Sequence, residues 1–118
     1  MLSVALFSAA FAQAATVDTL SVWSASMNKG VEVVVVVPDG ARTKTGSAYP
    51  VLYLLHGASG YHGDWAEKGN MRQIADETIA AGTALPMIVV MPDASGTGEN
   101  YTGDRMGYFN VPGWPYER

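Results

Sequence analysis

Pro50-Val51-Leu52-Tyr53-Leu54-Leu55 runs without interruption into His56-Gly57-Ala58-Ser59-Gly60, and the fold is decided there. Five apolar residues in a row, with no polar alternation, predict a strand buried on both faces, as strands of a parallel sheet are. The glycine-rich stretch after it predicts a loop. Downstream, Met71, Ile74, Ala75, Thr78 and Ile79 recur at helical spacing, with Asn70 and Gln73 placed as a capping box and Gly82 at the C′ position. Met87-Ile88-Val89-Val90-Met91 then predicts a second buried strand, ended by Pro92-Asp93. Strand, helix and strand joined by a long crossover make a βαβ unit, which requires parallel pairing.

Upstream, Val17 to Trp23 is β-prone, Lys29-Gly30 reads as a turn, and Val31 to Val37 is valine apart from Glu32. Branched Cβ atoms suit a pleated strand. Pro38-Asp39-Gly40 ends it as a turn, and Ala41 to Tyr49 is loop-like. The short connection predicts that these two strands pair antiparallel. The fold class expected is therefore α/β, with a mixed, mainly parallel sheet. From Ala94 to Arg118 glycines and aromatics alternate irregularly, and no periodic element is legible. A parallel sheet needs helices on both faces, yet one good helix is legible. The chain is thus expected to be truncated, a part of a larger domain.

With 118 residues, the chain suffices for one modest domain. Its 48% hydrophobic and 15% charged residues mark a globular composition. A formal charge of −4, with Lys and Arg scattered, argues against a nucleic-acid partner. The absence of cysteine excludes disulfides, thiolate zinc sites and a cysteine nucleophile. Leu2 to Ala12 is apolar and small and is followed by Ala12-Gln13-Ala14, so residues 1–14 are expected to be a signal peptide, with residues 15–118 as the mature part. That stretch is too short for an integral membrane span, which takes about 20 residues. The expected localisation is secreted or periplasmic.

Tyr49 to Gly57, then Asp64-Trp65, then Ile88-Val89-Val90-Met91-Pro92-Asp93 together resemble the putative-esterase family of the α/β-hydrolase superfamily. That family includes esterase D (S-formylglutathione hydrolase), feruloyl and acetyl xylan esterases, and mycolyltransferases. Ser24 to Lys29 is similar to the segment where these enzymes enter their second strand. Tyr101-Thr102-Gly103-Asp104 is similar to a Tyr-x-Asp element with one extra residue, and Tyr116-Glu117 to the start of the helix leading into the nucleophile strand.

The resemblance implies an N-terminal portion of an α/β-hydrolase fold, truncated before the nucleophile elbow. It also implies acyl transfer by a Ser-Asp-His triad, needing no cofactor and no metal. In this superfamily the serine sits in a G-x-S-x-G elbow, followed by the acid and the histidine. Gly57-Ala58-Ser59-Gly60-Tyr61 comes nearest, but Tyr61 replaces the last glycine, and Ser59 follows the third strand, where the family has its oxyanion loop. His56 and His62 both precede any possible elbow. The triad is therefore expected beyond Arg118.

What the resemblance implies for these residues is one oxyanion-hole donor, the backbone N–H of Ala58, with Gly57 letting the chain turn sharply. Gly57, Trp65, Tyr101 and Asp104 are the candidate substrate-binding residues. His56 is expected to anchor the loop, and Asp93 either to cap a turn or to meet substrate. The partners implied are a small acyl ester or an esterified carbohydrate. The alternative is a catalytically inactive or non-enzymatic binding module that uses the Tyr- and Gly-rich tail.

Overall fold

The computed structural model describes residues 15–38, 40–41, 48–95, 107–108, 110–111 and 114–115. The elements are β1 (Thr16–Ser24), β2 (Lys29–Val37), β3 (Val51–Tyr53), the short helix α1 (Asp64–Glu67), α2 (Met71–Ala80), β4 (Ile88–Pro92), and the two-residue strands β5 (Asn110–Val111) and β6 (Trp114–Pro115). The first four strands form one sheet in the order β1-β2-β4-β3; β5 and β6 pair separately.

The sheet is mixed, as expected, although among the described strands one of its three pairings, rather than most, is parallel. β1 and β2 are an antiparallel hairpin, β2 and β4 pair antiparallel, and β3 and β4 pair parallel across the crossover that carries both helices. The hairpin turn falls on residues 25–28, with Asn28 taking the left-handed conformation (φ 51°), so Lys29-Gly30 opens β2 and is not the turn. Asparagine accepts that conformation because its short polar side chain tolerates it. Gly30 has its own reason: a Cβ there would meet the Ser21 hydroxyl on the neighbouring strand.

Alternation sorts the side chains. Val34 and Val36 of β2 and Val89 and Met91 of β4 share one face with Ala15, and Leu54, Ala66, Met71 and Met87 pack against them. This is the core. The opposite face carries Leu20, Val22, Val33, Val35, Tyr53 and Val90, which line an open apolar trough. β3 differs from its expected burial. It is an edge strand with β4 as its neighbour, and Val51, Leu52 and Tyr53 are 47%, 39% and 64% exposed. A run of apolar residues reports what a strand is suited to bury; actual burial needs a layer on each face.

Helix α2 ends as read. The Gly82 N–H donates to Ile79 O and the Thr83 N–H to Thr78 O, with Gly82 at φ 71°, which is a Schellman motif. Its start differs. Asn70 is left-handed (φ 47°) with no side-chain cap, and Gln73 turns forward to Glu77 (2.8 Å). A side-chain N-cap needs the β-region backbone that Asn70 lacks. Ala75 is buried, whereas Ile74, on the same predicted face, is half exposed.

Candidate active site

Parallel β3 and β4 end on the same edge of the sheet, and in open α/β sheets ligands bind outside the carboxyl ends of the strands. The loop after β3 (residues 54–63) and the exit from β4 (residues 93–95) meet there. Leu54 N–H still donates to Val90 O (2.9 Å), so the ladder carries the chain to the first residue of the loop.

His56 is the next tie. The Ala94 N–H donates to its Nε2 (2.9 Å). Nε2 is then the acceptor nitrogen, so Nδ1 carries the proton and donates to Gly57 O (2.9 Å). The His56 N–H donates to the Tyr108 hydroxyl (2.9 Å), which in turn donates to Pro92 O (3.4 Å), and the two rings lie 5.2 Å apart. Both imidazole nitrogens are thereby committed to backbone. This is the anchoring role expected of His56. Tyr108 was missed by sequence reasoning, because nothing in a separation of 52 residues signals the contact.

Between His56 and His62 the chain makes a tight turn. The Gly60 N–H donates to Gly57 O (3.0 Å), and Ser59 is left-handed at φ 62°. The sharp bend expected at Gly57 thus falls two residues later. Gly57 has no left-handed φ, and a Cβ there would meet nothing within 4 Å. Gly60 is the constrained position, since a Cβ would run into the Asp64 carboxylate and lie 3.1 Å from Gly57 O. Gly57, Ala58 and Ser59 are all exposed. Among the described residues, the Ala58 N–H donates to no acceptor, and the Ser59 hydroxyl bonds to neither histidine.

His62 pairs with Asp93 rather than Asp64. Its Nδ1–H and its backbone N–H (3.3 Å) both donate to Asp93 Oδ2. The other oxygen, Oδ1, accepts the Ser95 N–H (2.7 Å) and the Ser95 hydroxyl. Burial pushes the Asp93 carboxyl upward, but the hydrogen bonds from Ser95 and His62 outweigh it and hold the group below its ordinary value. Of the two roles open to Asp93, the turn-capping one is occupied. Asp64 accepts from Lys68 Nζ (2.9 Å), which raises the Lys68 ammonium above its ordinary range.

Trp65 lies on α1, and its Nε1–H donates to Leu55 O (3.0 Å), so the ring closes over the start of the loop while remaining 40% exposed. Tyr101 and Asp104 lie outside the described residues.

The site is thus a strand, an exposed turn, a helix and a second strand parallel to the first, joined in that order. A family model described as putative esterase matches residues 24–116. The chain belongs to the putative esterase family. Among solved structures, a ferulic acid esterase is 37% identical with a TM-score of 0.77, the match covering 87% of this chain and 38% of that one. A ferulic acid esterase from the anaerobic fungus Anaeromyces mucronatus, solved with ferulic acid, is 27% identical with a TM-score of 0.62, covering 84% and 35%. An S-formylglutathione hydrolase from Staphylococcus aureus, 18% identical with a TM-score of 0.51 and covering 67% and 30%, shares the fold. The chain thus spans under two fifths of the length of these structures, and it corresponds to an N-terminal portion of an α/β-hydrolase fold.

Proposed function

We propose that this chain is the N-terminal part of an exported serine carboxylester hydrolase, and that it contributes one half of the oxyanion hole through the Ala58 N–H. The observation that carries the proposal is the exposed residue Ala58, whose N–H donates to no acceptor among the described residues, on a turn at the carboxyl edge of the β3–β4 pair. A serine on the next part of the fold attacks the ester carbonyl, and its oxygen becomes an alkoxide as the tetrahedral intermediate forms. The Ala58 N–H and the N–H following the serine donate to that oxygen. The triad residues belong to sequence beyond Arg118. Asp93 and both histidines hold the arm and transfer no proton.

The substrate class that the relatives support is a small acyl ester, with a feruloyl ester on carbohydrate as the first to test. Gly57 leaves open space beside the donor, and Trp65, tied to Leu55 O at the start of the same loop, is assigned to the substrate side with it. Tyr101 and Asp104 are assigned to the substrate side by their similarity to the family's Tyr-x-Asp element. Residues 1–14 are assigned as the export signal.

The test is to express the whole reading frame that contains this chain and to assay methyl ferulate and a short acyl ester. Turnover of either, abolished by replacing the serine of a G-x-S-x-G elbow, supports the proposal. Ala58→Pro removes the donor and is expected to lower kcat by roughly 100- to 1,000-fold, the usual effect of deleting one oxyanion donor. A reading frame with no elbow, or a protein with no turnover, refutes it in favour of a binding module.

A further inference from the structure

The segment 57–61 has little of its own to hold it. It is exposed at Gly57, Ala58 and Ser59, it contains a serine in a left-handed conformation, and its internal bond is the Gly60 N–H to Gly57 O. A non-glycine residue in that region is strained and persists only where the surroundings over-determine it. Part of that over-determination comes from Tyr61, whose carbonyl accepts the Asp64 N–H (3.1 Å) and whose ring meets His62, and the rest from the two flanking histidines. His56 fixes one end to Ala94, and His62 fixes the other to Asp93, the residue immediately before Ala94. The two attachments thus fall on adjacent residues of one rigid strand exit. The second is well sheltered, with the His62 and Asp93 side chains 21% and 17% exposed. Asp93 is itself fixed by two bonds from Ser95.

We propose that His62 and Asp93 are positioning residues which, with His56, clamp segment 57–61 against the exit of β4 and so set the direction of the Ala58 N–H. The inference rests on Ala58 being the oxyanion donor. It gives the His62 side chain a role that depends on its Nδ1–H, which reinforces the backbone N–H bond to the same Asp93 oxygen, and on no proton transfer. Asn carries an amide nitrogen the same number of bonds from the backbone as His Nδ1, so it can keep that donor while abolishing any acid–base function.

The experiment uses the protein from the whole reading frame, with variants His62→Ala and His62→Asn. Amide hydrogen exchange of residues 57–61 is read alongside kcat and KM for an ester substrate. His62→Ala is expected to speed exchange in the segment at least tenfold. It is also expected to lower kcat by roughly 10- to 100-fold, the scale of loss for an ångström-sized misplacement, with KM changed less than about twofold. His62→Asn is expected to recover most of both. Unchanged exchange in His62→Ala overturns the clamp, and so does a loss in His62→Asn as deep as in His62→Ala. Faster exchange with unchanged kcat overturns the positioning role. Failure of the underlying reading is seen separately, as full activity in Ala58→Pro or no activity in the unmodified protein; exchange still tests the clamp in either case.

Discussion

Val89→Ala and Val22→Ala remove the same two methyl groups from opposite faces of one sheet, and they are expected to differ sharply in cost. Val89 is fully buried among Val34, Val36 and Met91, whereas Val22 is 51% exposed on the open trough. Two buried methyl groups are worth about 1.6 kcal/mol at about 0.8 each. The cavity left in a packed core adds about 1 kcal/mol for a volume of roughly 45 Å³. Val89→Ala is therefore expected to cost about 2.5 kcal/mol. Val22 forfeits about half the transfer term, near 0.8 kcal/mol, and leaves no cavity because its site is already open. The intrinsic strand preference is the same substitution in both and largely cancels. The assay is urea unfolding of the 118-residue chain followed by tryptophan fluorescence. With a slope of about 1.5 kcal/mol per molar, the two midpoints separate by roughly 1 M. Equal losses would refute the reasoning, because they would mean that the trough is covered in solution.

Stability should also respond to acid through Asp93. Its folded carboxyl lies below the ordinary value of 3.8, so its contribution is fully present above that pH and is lost as pH falls through the lower, folded value. Asp93→Asn should flatten the dependence of Tm on pH below about 3.8 relative to the parent chain, and identical acid profiles would contradict the bonding described at Asp93. Gly82→Ala forces a Cβ into the left-handed C′ position at φ 71° and is expected to lower stability by about 1 kcal/mol, seen as a lower Tm. Trp65→Phe keeps most of the ring but deletes the donor to Leu55 O, and a loss of about 1 kcal/mol in urea unfolding is expected.

The sequence made the sheet legible because local rules govern its parts. Valine runs and a helical apolar stripe ending in glycine each follow from near neighbours, and β1, β2, α2 and β4 stand close to where those rules put them, although the hairpin turn falls on residues 25–28 and not on Lys29-Gly30. The misses are where neighbours in space decide. The exposure of β3 depends on which elements lie over it, which no property of Val51-Leu52-Tyr53 encodes. Asn70 reads as a cap by residue type, but its backbone is left-handed, and the capping bond cannot form from there. At the site, His56 was legible as an anchor because a histidine at a strand end beside glycine has few other roles. Its partner Ala94 was not, because a backbone N–H carries no residue identity. His62 has a carboxylate two residues away in sequence, Asp64, yet its partner Asp93 lies 31 residues on, just past the end of the strand that β3 pairs with.

That last pairing bears on how the arm is built. A short exposed turn gains little from its own contacts, since each net hydrogen bond contributes only about 1 kcal/mol and the backbone must still be ordered. Stiffness must be borrowed from the sheet, and the parallel β3–β4 ladder is the part of the sheet that delivers two chain exits side by side. One exit supplies the turn, and the other supplies consecutive attachment points at Asp93 and Ala94. The order of the strands therefore matters to the proposed donor as much as the residues of the turn. Shortening or lengthening the 93–95 exit by one residue should disturb the Ala58 N–H as severely as a change within the turn itself, although no residue of that exit touches it.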